Sequence, residues 1–258
     1  VSTEATEYQV DTGAAWIRLN RPERRNALSG TLIAEVSEHL AAANADDAVR
    51  CIVITGNGPG FCAGADLKDD PGLPASRAVS YPELLTQIQD SPKPVIAAIN
   101  GAAFAGGLGL VGAADIAISV RSAQFSFSEV RIGVIPAVIS VVCLPKLGMH
   151  HAMKLFLSGE RFTAEQAVEM GFVHRSVDDE QLRSAVQEEI DMIRLGGPNA
   201  IIECKRLLRR MATLNREDGF REAEPWSQSL FASEEGAEGM AAFREKRPAA
   251  WVDGSNSD

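Results

Sequence analysis

The chain has 258 residues, 45% of them hydrophobic and 23% charged, which fits a globular protein of one large domain with or without an appendage. Its net charge of −10 disfavours nucleic-acid binding, because a nucleic-acid partner requires a basic face. The four cysteines are widely spaced and form no CxxC pair, which indicates free thiols in a reducing cytoplasm and no zinc site. The longest apolar run, over residues 95–120, is interrupted by glycines and Asp115, so we expect no membrane span.

Predicted strands and helices alternate as far as about residue 180, and helices dominate the remainder of the chain. Apolar runs predict strands at residues 14–20, 51–55, 94–100 and 115–119. Ser29 or Thr31 is a candidate N-cap for a first helix, and later helices are predicted at residues 151–157, 163–170, 180–195 and 199–214. Residues 69–80, rich in Pro, Gly, Ser and Asp, indicate a mobile surface loop. This order favours an α/β core followed by a helical C-terminal extension.

The first segment that could carry chemistry, residues 60–67 (GFCAGADL), follows the strand predicted at 51–55. Small residues at positions 63, 64 and 65 leave the backbone N–H groups accessible to a ligand. Asp66 could hydrogen-bond to those N–H groups and hold the turn. An ordinary strand-to-helix turn has the same composition, so this segment alone leaves both interpretations open.

The second segment, residues 100–110 (NGAAFAGGLGL), also follows a predicted strand and precedes a helical pattern. Glycine-rich turns at helix N-termini bind anions through free N–H groups and the helix dipole. A dinucleotide-binding fingerprint is disfavoured because no intact GxGxxG is present, and a P-loop is excluded because no GK[ST] follows. Close packing of a helix on a sheet is the structural alternative.

The third segment, residues 124–136 (QFSFSEVRIGVIP), places Glu129 among apolar neighbours. Desolvation of a carboxylate in such surroundings raises its pKa toward a value that suits proton transfer. An ion pair between Glu129 and the nearby Arg131 is the alternative interpretation. The sequence alone does not choose between the two.

These segments, in this order and spacing, resemble the crotonase (enoyl-CoA hydratase/isomerase) family over nearly the whole chain. Each match is weak alone, and their shared order and spacing support the assignment. The matching stretches are residues 20–28 (NRP…NAL), 61–67 (FCAGADL), 93–101 (KPVIAAING), 157–173 (LSG, Ala164, Ala167 and GFV) and 239–247 (GMAAFREKR).

The resemblance implies a spiral of ββα repeats with a helical C-terminal region that trimerises, in a homotrimer or homohexamer. Residues 1–198 are then the core that binds a CoA thioester, and residues 199–258 mediate oligomerisation and cover the pocket. The implied substrate is an acyl-CoA thioester, whose carbonyl oxygen would accept hydrogen bonds from the N–H groups of Ala65 and Gly106. No metal is expected, and no cofactor other than the CoA moiety of the substrate.

Further substrate-binding positions also come from the resemblance. It implies Ala63, Ala65 and Leu67 around the adenine, and Arg24 or Lys246 at the CoA phosphates, with a neighbouring subunit as one source of Lys246. A solvated charge is the alternative for both basic residues. Acyl-chain specificity is expected to come from a loop at residues 69–85 and from the C-terminal helices. The predicted set is completed by Asp66, Gly107 and Gly109.

The chain departs from the family pattern at one catalytic position. Hydratases of the family usually hold one water between two glutamates, the first of them three residues after the oxyanion glycine. Here Gly109 occupies that position, and the second glutamate corresponds to Glu129. We interpret Gly109 as leaving room for a bulky or branched acyl group.

A single carboxylate supports two reactions on a bound thioester. Glu129 could deprotonate water for attack on a 2-enoyl-CoA, or move a proton between two carbons in a 3-enoyl/2-enoyl isomerisation. Residues 128–133 and 136–140 resemble hydratases of the family that keep only the second acid, so hydratase is favoured over isomerase. A non-catalytic protein that binds CoA thioesters is the third hypothesis, prompted by the missing glutamate.

Overall fold

In a computed structural model, which describes residues 4–67 and 79–252, short and long β-strands alternate along the first two thirds of the chain. The described strands are β1 (Thr6–Asp11), β2 (Ala14–Leu19), β3 (Cys51–Gly56), β4 (Gly60–Cys62), β5 (Val95–Ile99), β6 (Ala102–Phe104), β7 (Ile116–Val120), β8 (Gln124–Ser126), β9 (Arg161–Thr163) and β10 (Arg175–Val177).

The strands form two sheets that are linked by one repeating connection. A six-stranded sheet has the order β1-β2-β3-β5-β7-β10, and a four-stranded sheet has the order β4-β6-β8-β9. All neighbours are parallel except β1 with β2 and β8 with β9. In the pairs β3–β4, β5–β6 and β7–β8, the first strand joins the larger sheet and the short second strand joins the smaller one. The predicted α/β spiral is therefore confirmed.

Helices follow these strand pairs and make up the C-terminal third of the chain. The described α-helices are α1 (Gly30–Ala45), α2 (Tyr81–Asp90), α3 (Gly106–Ala113), α4 (Ala137–Ser158), α5 (Ala164–Glu169), α6 (Leu182–Leu195), α7 (Pro198–Met211), α8 (Arg216–Phe231) and α9 (Glu234–Glu245).

The strands and helices predicted from the sequence are present, although the helix predicted at 151–157 begins earlier, at Ala137, and several elements were not predicted. Ser29 rather than Thr31 is the N-cap of α1, and its hydroxyl accepts a hydrogen bond from Leu32 N at 3.2 Å. The sequence patterns missed β1 and α2, the short strands β4, β6, β8, β9 and β10, and the last two helices, α8 and α9. The loop expected over 69–85 is wrong from Tyr81 onward, because α2 begins there with a Ser80/Glu83 capping box. The earlier part of that loop, at 68–78, lies outside the described residues.

The C-terminal helices carry much exposed apolar surface. No described side chain of α7 or α8 is buried, and Phe243 on α9 is 85% exposed. The region is tied to the core by Lys205, whose Nζ lies 2.6 Å from a carboxylate oxygen of Asp115, and by Trp251, which donates to the Leu195 carbonyl. Large exposed apolar patches are typical of interaction surfaces. The division of the chain at residue 198 stays a prediction.

Asn26 is a fully buried polar side chain that joins three turns near the small sheet. Its Oδ1 accepts from Arg21 N at 2.9 Å, and its Nδ2 donates to the carbonyl oxygens of Asn57 and Gly60 at 3.0 and 2.8 Å. Its φ of 55° is in the left-handed region, which asparagine tolerates better than most residues. Asn26 therefore fixes the chain on both sides of β4.

We expect Asn26→Ala to lower the free energy of unfolding by about 2–4 kcal/mol, because a fully buried side chain that makes three hydrogen bonds to the backbone is lost. Asn199→Ala is the matched control, since that side chain is exposed and makes no hydrogen bond among the described residues. Urea unfolding of both variants measures the difference. Equal stability of the two variants would contradict the assigned role of Asn26.

Candidate active site

Three neighbouring parallel strands of the small sheet lead to the three predicted catalytic positions. Strand β4 ends three residues before Ala65, β6 ends two residues before Gly106, and β8 ends three residues before Glu129. These strands pair side by side, β4 with β6 and β6 with β8. Because the carboxyl ends of parallel strands meet at one edge of a sheet, the fold brings the three positions to the same edge.

The turns that hold Ala65 and Gly106 are in close contact. A Cβ atom placed on Gly106 would lie 3.6 Å from Ala65 N, and one placed on Gly64 would lie 3.0 Å from Gly106 N. The φ of Gly64 is +90°, a backbone conformation that L side chains rarely adopt. Glycine at these two positions therefore lets two backbone N–H groups approach each other.

Both N–H groups are left without a partner by the local hydrogen bonding. Leu28 N donates to Gly64 O at 2.8 Å, and Asp66 N donates to Leu28 O at 3.1 Å, so this parallel bridge uses the groups on either side of Ala65. Gly106 is the first residue of α3, where helix N–H groups have no intrahelical acceptor. Within the described residues, neither Ala65 N nor Gly106 N donates a hydrogen bond. The pair can therefore bind an oxygen that carries negative charge.

The residue before Gly106 is held in a strained conformation. Ala105 has a φ of 46° and a ψ of −121°, which is rare for a residue with a Cβ atom. Its N–H donates to Ser126 O at 2.9 Å, which ties the strained turn to strand β8. Strain of this kind persists where the surrounding structure imposes it, and it clusters at functional sites.

Asp66 stabilises the first turn through a buried ion pair. One carboxylate oxygen lies 2.9 Å from Arg21 Nη2, with 6% of the Asp66 side chain exposed, and Arg21 Nη1 donates to Ala27 O at 2.8 Å. The sequence analysis expected this carboxylate to bond to the N–H groups of the turn itself. The arginine contact explains how the turn is held, and a substrate contact of Asp66 stays a prediction.

Glu129 lies in a short 3-10 helix, Ser128–Ile132, immediately after β8. Its Oε2 is buried and has no hydrogen-bond partner among the described residues. The alternative ion pair with Arg131 is not formed, since no Arg131 nitrogen lies within ion-pair distance of this carboxylate in the described structure. Burial raises the pKa of Glu129 above its ordinary value, and a hydrogen bond from its own backbone N–H opposes the increase. Such a carboxyl group can both take and return a proton.

Gly109 does not leave an empty space, so that interpretation of the sequence is wrong. A Cβ atom at Gly109 would overlap the hydroxyl group of Tyr81 and would lie 2.7 Å from Ile139 Cγ2. Tyr81 is the first residue of α2, and its hydroxyl donates to the carbonyl oxygen of Gly106. The sequence analysis missed this residue because it lies at the end of the segment predicted to be a loop. The Ser80/Glu83 capping pair was the available signal for a helix start there.

The remaining predicted positions are distributed around this edge or away from it. Ala63 donates its N–H to Arg25 O at 3.0 Å, and Leu67 is 66% exposed. A Cβ atom on Gly107 would overlap the Cys62 carbonyl, so this glycine permits close packing of α3 on β4.

The two predicted basic contacts differ in their surroundings. Arg24 ends the 3-10 helix Pro22–Arg24 and is half-buried. Lys246 is exposed at the C-cap of α9, and within the described structure its side chain makes no hydrogen bond or ion pair to the segments of Ala65, Gly106 or Glu129. Their contacts with CoA phosphates stay predictions.

Residues 4–67 and 79–252 contain no cluster of three or more His, Cys, Asp or Glu side chains arranged to hold a metal ion. In the same residues, no helix is both long and apolar enough to cross a bilayer.

Comparison with known proteins agrees with this geometry. The model of the enoyl-CoA hydratase/isomerase family matches residues 9–254, so the chain belongs to that family. The 1,2-epoxyphenylacetyl-CoA isomerase of Escherichia coli (strain K12) is 40% identical over 188 residues, which cover 69% of this chain and 72% of the relative. The 2,3-dehydroadipyl-CoA hydratase of the same organism is 34% identical over 235 residues, which cover 90% and 92%.

A solved structure supports the same conclusion for the fold. The enoyl-CoA hydratase of Shewanella pealeana superposes with a TM-score of 0.88 at 32% identity, covering 96% of each chain. The crotonase fold predicted from the sequence is thereby confirmed. Relatives are named as both hydratases and isomerases, and the family as a whole acts on acyl-CoA thioesters.

We expect Gly109→Ala to lower the free energy of unfolding by about 1–3 kcal/mol, because the new methyl group must displace Tyr81 and Ile139. Gly219→Ala is the matched control, since it is also a helical glycine and its Cβ would have only an ordinary contact, 3.6 Å from Met211 Sδ. The control should be neutral or slightly stabilising, because alanine has the higher helix propensity. Thermal or urea unfolding of both variants measures the change in the free energy of unfolding. A Gly109→Ala protein as stable as the wild type would contradict the predicted overlap.

The raised pKa of Glu129 also predicts a pH-dependent effect on stability. In the unfolded chain Glu129 ionises at the ordinary glutamate pKa of about 4.3, whereas in the native state it ionises at a higher pH. The free energy of unfolding therefore falls as pH rises from the unfolded pKa through the native pKa. Glu129→Gln removes this penalty. Its Tm should therefore exceed that of the wild type at pH 8, and the difference should shrink toward pH 4.5. A difference that does not change with pH, measured beside the exposed Glu7→Gln control, would contradict an unpaired buried carboxylate.

Proposed function

We propose that the protein is an enoyl-CoA hydratase that adds water across the 2,3 double bond of a 2-enoyl-CoA with Glu129 as its only proton-transfer group. The observation that supports this proposal most directly is the buried Oε2 of Glu129, which has no partner among the described residues. A carboxylate oxygen in that state needs a hydrogen-bond donor, and a water molecule or a substrate C–H proton would supply it.

The reaction proceeds through an enolate that the two backbone N–H groups stabilise. Ionised Glu129 accepts a proton from water as the water oxygen bonds to the β-carbon of the substrate. The electron pair of the double bond moves through the α-carbon to the thioester oxygen, which accepts hydrogen bonds from Ala65 N and Gly106 N. The protonated Glu129 then donates its proton to the α-carbon, and the thioester carbonyl re-forms. Donors fixed before the reaction stabilise this charge without a reorganisation cost.

Binding of the CoA moiety is assigned to the residues that the family resemblance implies. Ala63, Ala65 and Leu67 would surround the adenine, with Arg24 and Lys246 at the phosphates, and no further cofactor or metal takes part. The exposure of Leu67 fits a position that a ligand covers. Specificity for the acyl chain then depends on the side chains of Tyr81, Ile139 and their neighbours, because these fill the space beside Gly109.

We also propose that the chain works as a homotrimer or homohexamer in the cytoplasm. Large apolar side chains are exposed on α4 and on the C-terminal helices, which a subunit contact would bury. They include Val141, Met149, Met153, Leu157, Phe220, Phe231 and Phe243. All four cysteines are free thiols, three of them buried, which suits a reducing compartment.

A second candidate is 3-enoyl/2-enoyl-CoA isomerisation with the same residues. The observation that favours it is the absence, within the described structure, of a second carboxylate at position 109, since isomerisation needs one acid–base group and no bound water. The E. coli relative of 40% identity is named as an isomerase. Hydration is preferred here because several relatives that cover nine tenths or more of this chain are named as hydratases. A non-catalytic binder is the third candidate, and the retained Glu129 speaks against it.

We expect Glu129→Gln to reduce turnover of crotonyl-CoA at least ~10²-fold, the usual contribution of a general acid–base group. Gln is isosteric but cannot take a proton, so binding of the thioester should change little. The absorbance of the conjugated thioester measures turnover, and calorimetric titration with butyryl-CoA measures binding. The control is Glu7→Gln, an exposed glutamate on β1.

Three outcomes of that assay are informative. Full activity of Glu129→Gln would overturn the mechanism. Loss of 3-enoyl-CoA turnover without any effect on crotonyl-CoA would favour the isomerase. Binding of butyryl-CoA with no turnover of either substrate by the wild type would leave only the non-catalytic binder.

A further inference from the structure

Tyr81 connects two helices at the point where the oxyanion donors are formed. Its ring extends from the first residue of α2 to the first turn of α3, where the hydroxyl donates to Gly106 O. The same residue, Gly106, supplies one of the two N–H groups that face the substrate. A bond to the carbonyl of a residue restricts the rotation of that residue's backbone.

The position of Tyr81 is itself held firmly. Ser80 caps α2, with its N–H donating to Glu83 Oε2 at 2.7 Å, and Leu84 and Leu85 of the next turn are buried. Helices α2 and α3 pack against each other. The hydroxyl is therefore presented by a helix that is anchored in the core, and a rigid element positions a functional group more accurately than a loop does.

The phenol also occupies the place that a side chain at position 109 would need. A Cβ on Gly109 would overlap the Tyr81 hydroxyl, so a glutamate at 109 and this tyrosine conformation exclude each other. Burial, followed by the neighbouring thiols and Glu129, raises the pKa of Tyr81 well above its ordinary value, while a hydrogen bond from Leu110 N opposes the increase. The Tyr81 hydroxyl beside Gly109 is consequently a neutral hydrogen-bond donor. In a family member with both glutamates, the first carboxylate would belong to this position instead.

We propose that Tyr81 is a positioning residue for the oxyanion hole, and that its hydroxyl fixes Gly106 in the orientation that directs the N–H group at the thioester oxygen. By filling the space beside Gly109, it also leaves Glu129 as the only acid–base group that the described residues place at this edge of the sheet. The inference rests on the proposed function for the identity of the oxyanion, and not on the choice between hydration and isomerisation, because both reactions place charge on the same oxygen.

The test compares Tyr81→Phe with Tyr8→Phe, which removes the hydroxyl of the chain's other tyrosine, on strand β1. The first readout is the absorption of bound 4-dimethylaminocinnamoyl-CoA, a conjugated thioester whose band moves to longer wavelength when its carbonyl is polarised. The second readout is kcat and KM for whichever enoyl-CoA the wild type converts. Tm values of all variants show whether a loss is structural.

Tyr81→Phe should lower kcat about five- to tenfold, the rate equivalent of one net hydrogen bond, with KM nearly unchanged. It should also shorten the wavelength shift of the bound probe, both alone and in the Glu129→Gln background, where no chemistry occurs. Tyr8→Phe should change neither quantity. A Tyr81→Phe protein with the full wavelength shift and full kcat would overturn the proposal, as would a fall in Tm with both readouts intact.

The probe separates this inference from the proposed function. If the wild type hydrates no 2-enoyl-CoA but the wavelength shift still depends on Tyr81, the hydratase proposal fails and the positioning role stands. If hydration depends on Glu129 but the shift does not depend on Tyr81, the positioning role fails and the hydratase proposal stands.

Discussion

The close approach of two backbone turns, at Gly64 and Gly106, is the constraint on which the rest of the site depends. Two N–H groups can converge on one oxygen only if no side chain stands between them, and the Cβ distances at both glycines leave no room for one. The pairing of β4 with β6 brings the two turns together. The parallel bridge at Leu28 engages Gly64 O and Asp66 N and leaves Ala65 N without an acceptor, and Gly106 N has none because it lies at the start of α3. The oxyanion hole is therefore a property of the backbone.

The acid–base group, Glu129, is placed by the same sheet, but its chemistry depends on the burial of a side chain rather than on the approach of two backbone turns. Glu129 follows β8 into an environment where it has no ion-pair partner among the described residues, and its desolvation raises its pKa at a cost in stability at neutral pH. Asp66 and Arg21, by contrast, form a buried pair that stabilises the turn. The two carboxylates follow strands β4 and β8, which lie on either side of β6, and they have opposite roles, because Asp66 has a guanidinium partner and Glu129 has none among the described residues.

The parts of this site that could be predicted from the sequence are those that depend on residues near one another in the chain. Small residues after apolar strands indicated the two turns, the family resemblance implied Ala65 and Gly106 as the donors within them, and an acid among apolar neighbours indicated Glu129. The occupancy of the space beside Gly109 could not be predicted, because it depends on Tyr81, 28 positions earlier in the chain, and on helix α2, whose start was taken for a loop. A missing side chain in a sequence does not imply an empty volume in the fold, since interiors are closely packed.

The same limit applies to ion pairs and edge strands. Arg131 is two residues from Glu129 in the same 3-10 helix, yet the two side chains form no ion pair in the described structure. Closeness in sequence therefore did not predict a contact here. Strand β1 was missed because its residues are mostly polar and half-exposed at the edge of the sheet. Where burial on both faces left a continuous apolar run, as in β3 and β5, the prediction was confirmed.

The most direct test of the account is the mass of the product formed from crotonyl-CoA in ¹⁸O-labelled water. The account predicts that the wild type yields a 3-hydroxyacyl-CoA that carries one labelled oxygen at the β-carbon. A double bond that moves in a 3-enoyl-CoA, while crotonyl-CoA takes up no label, would contradict hydration and assign Glu129 to isomerisation.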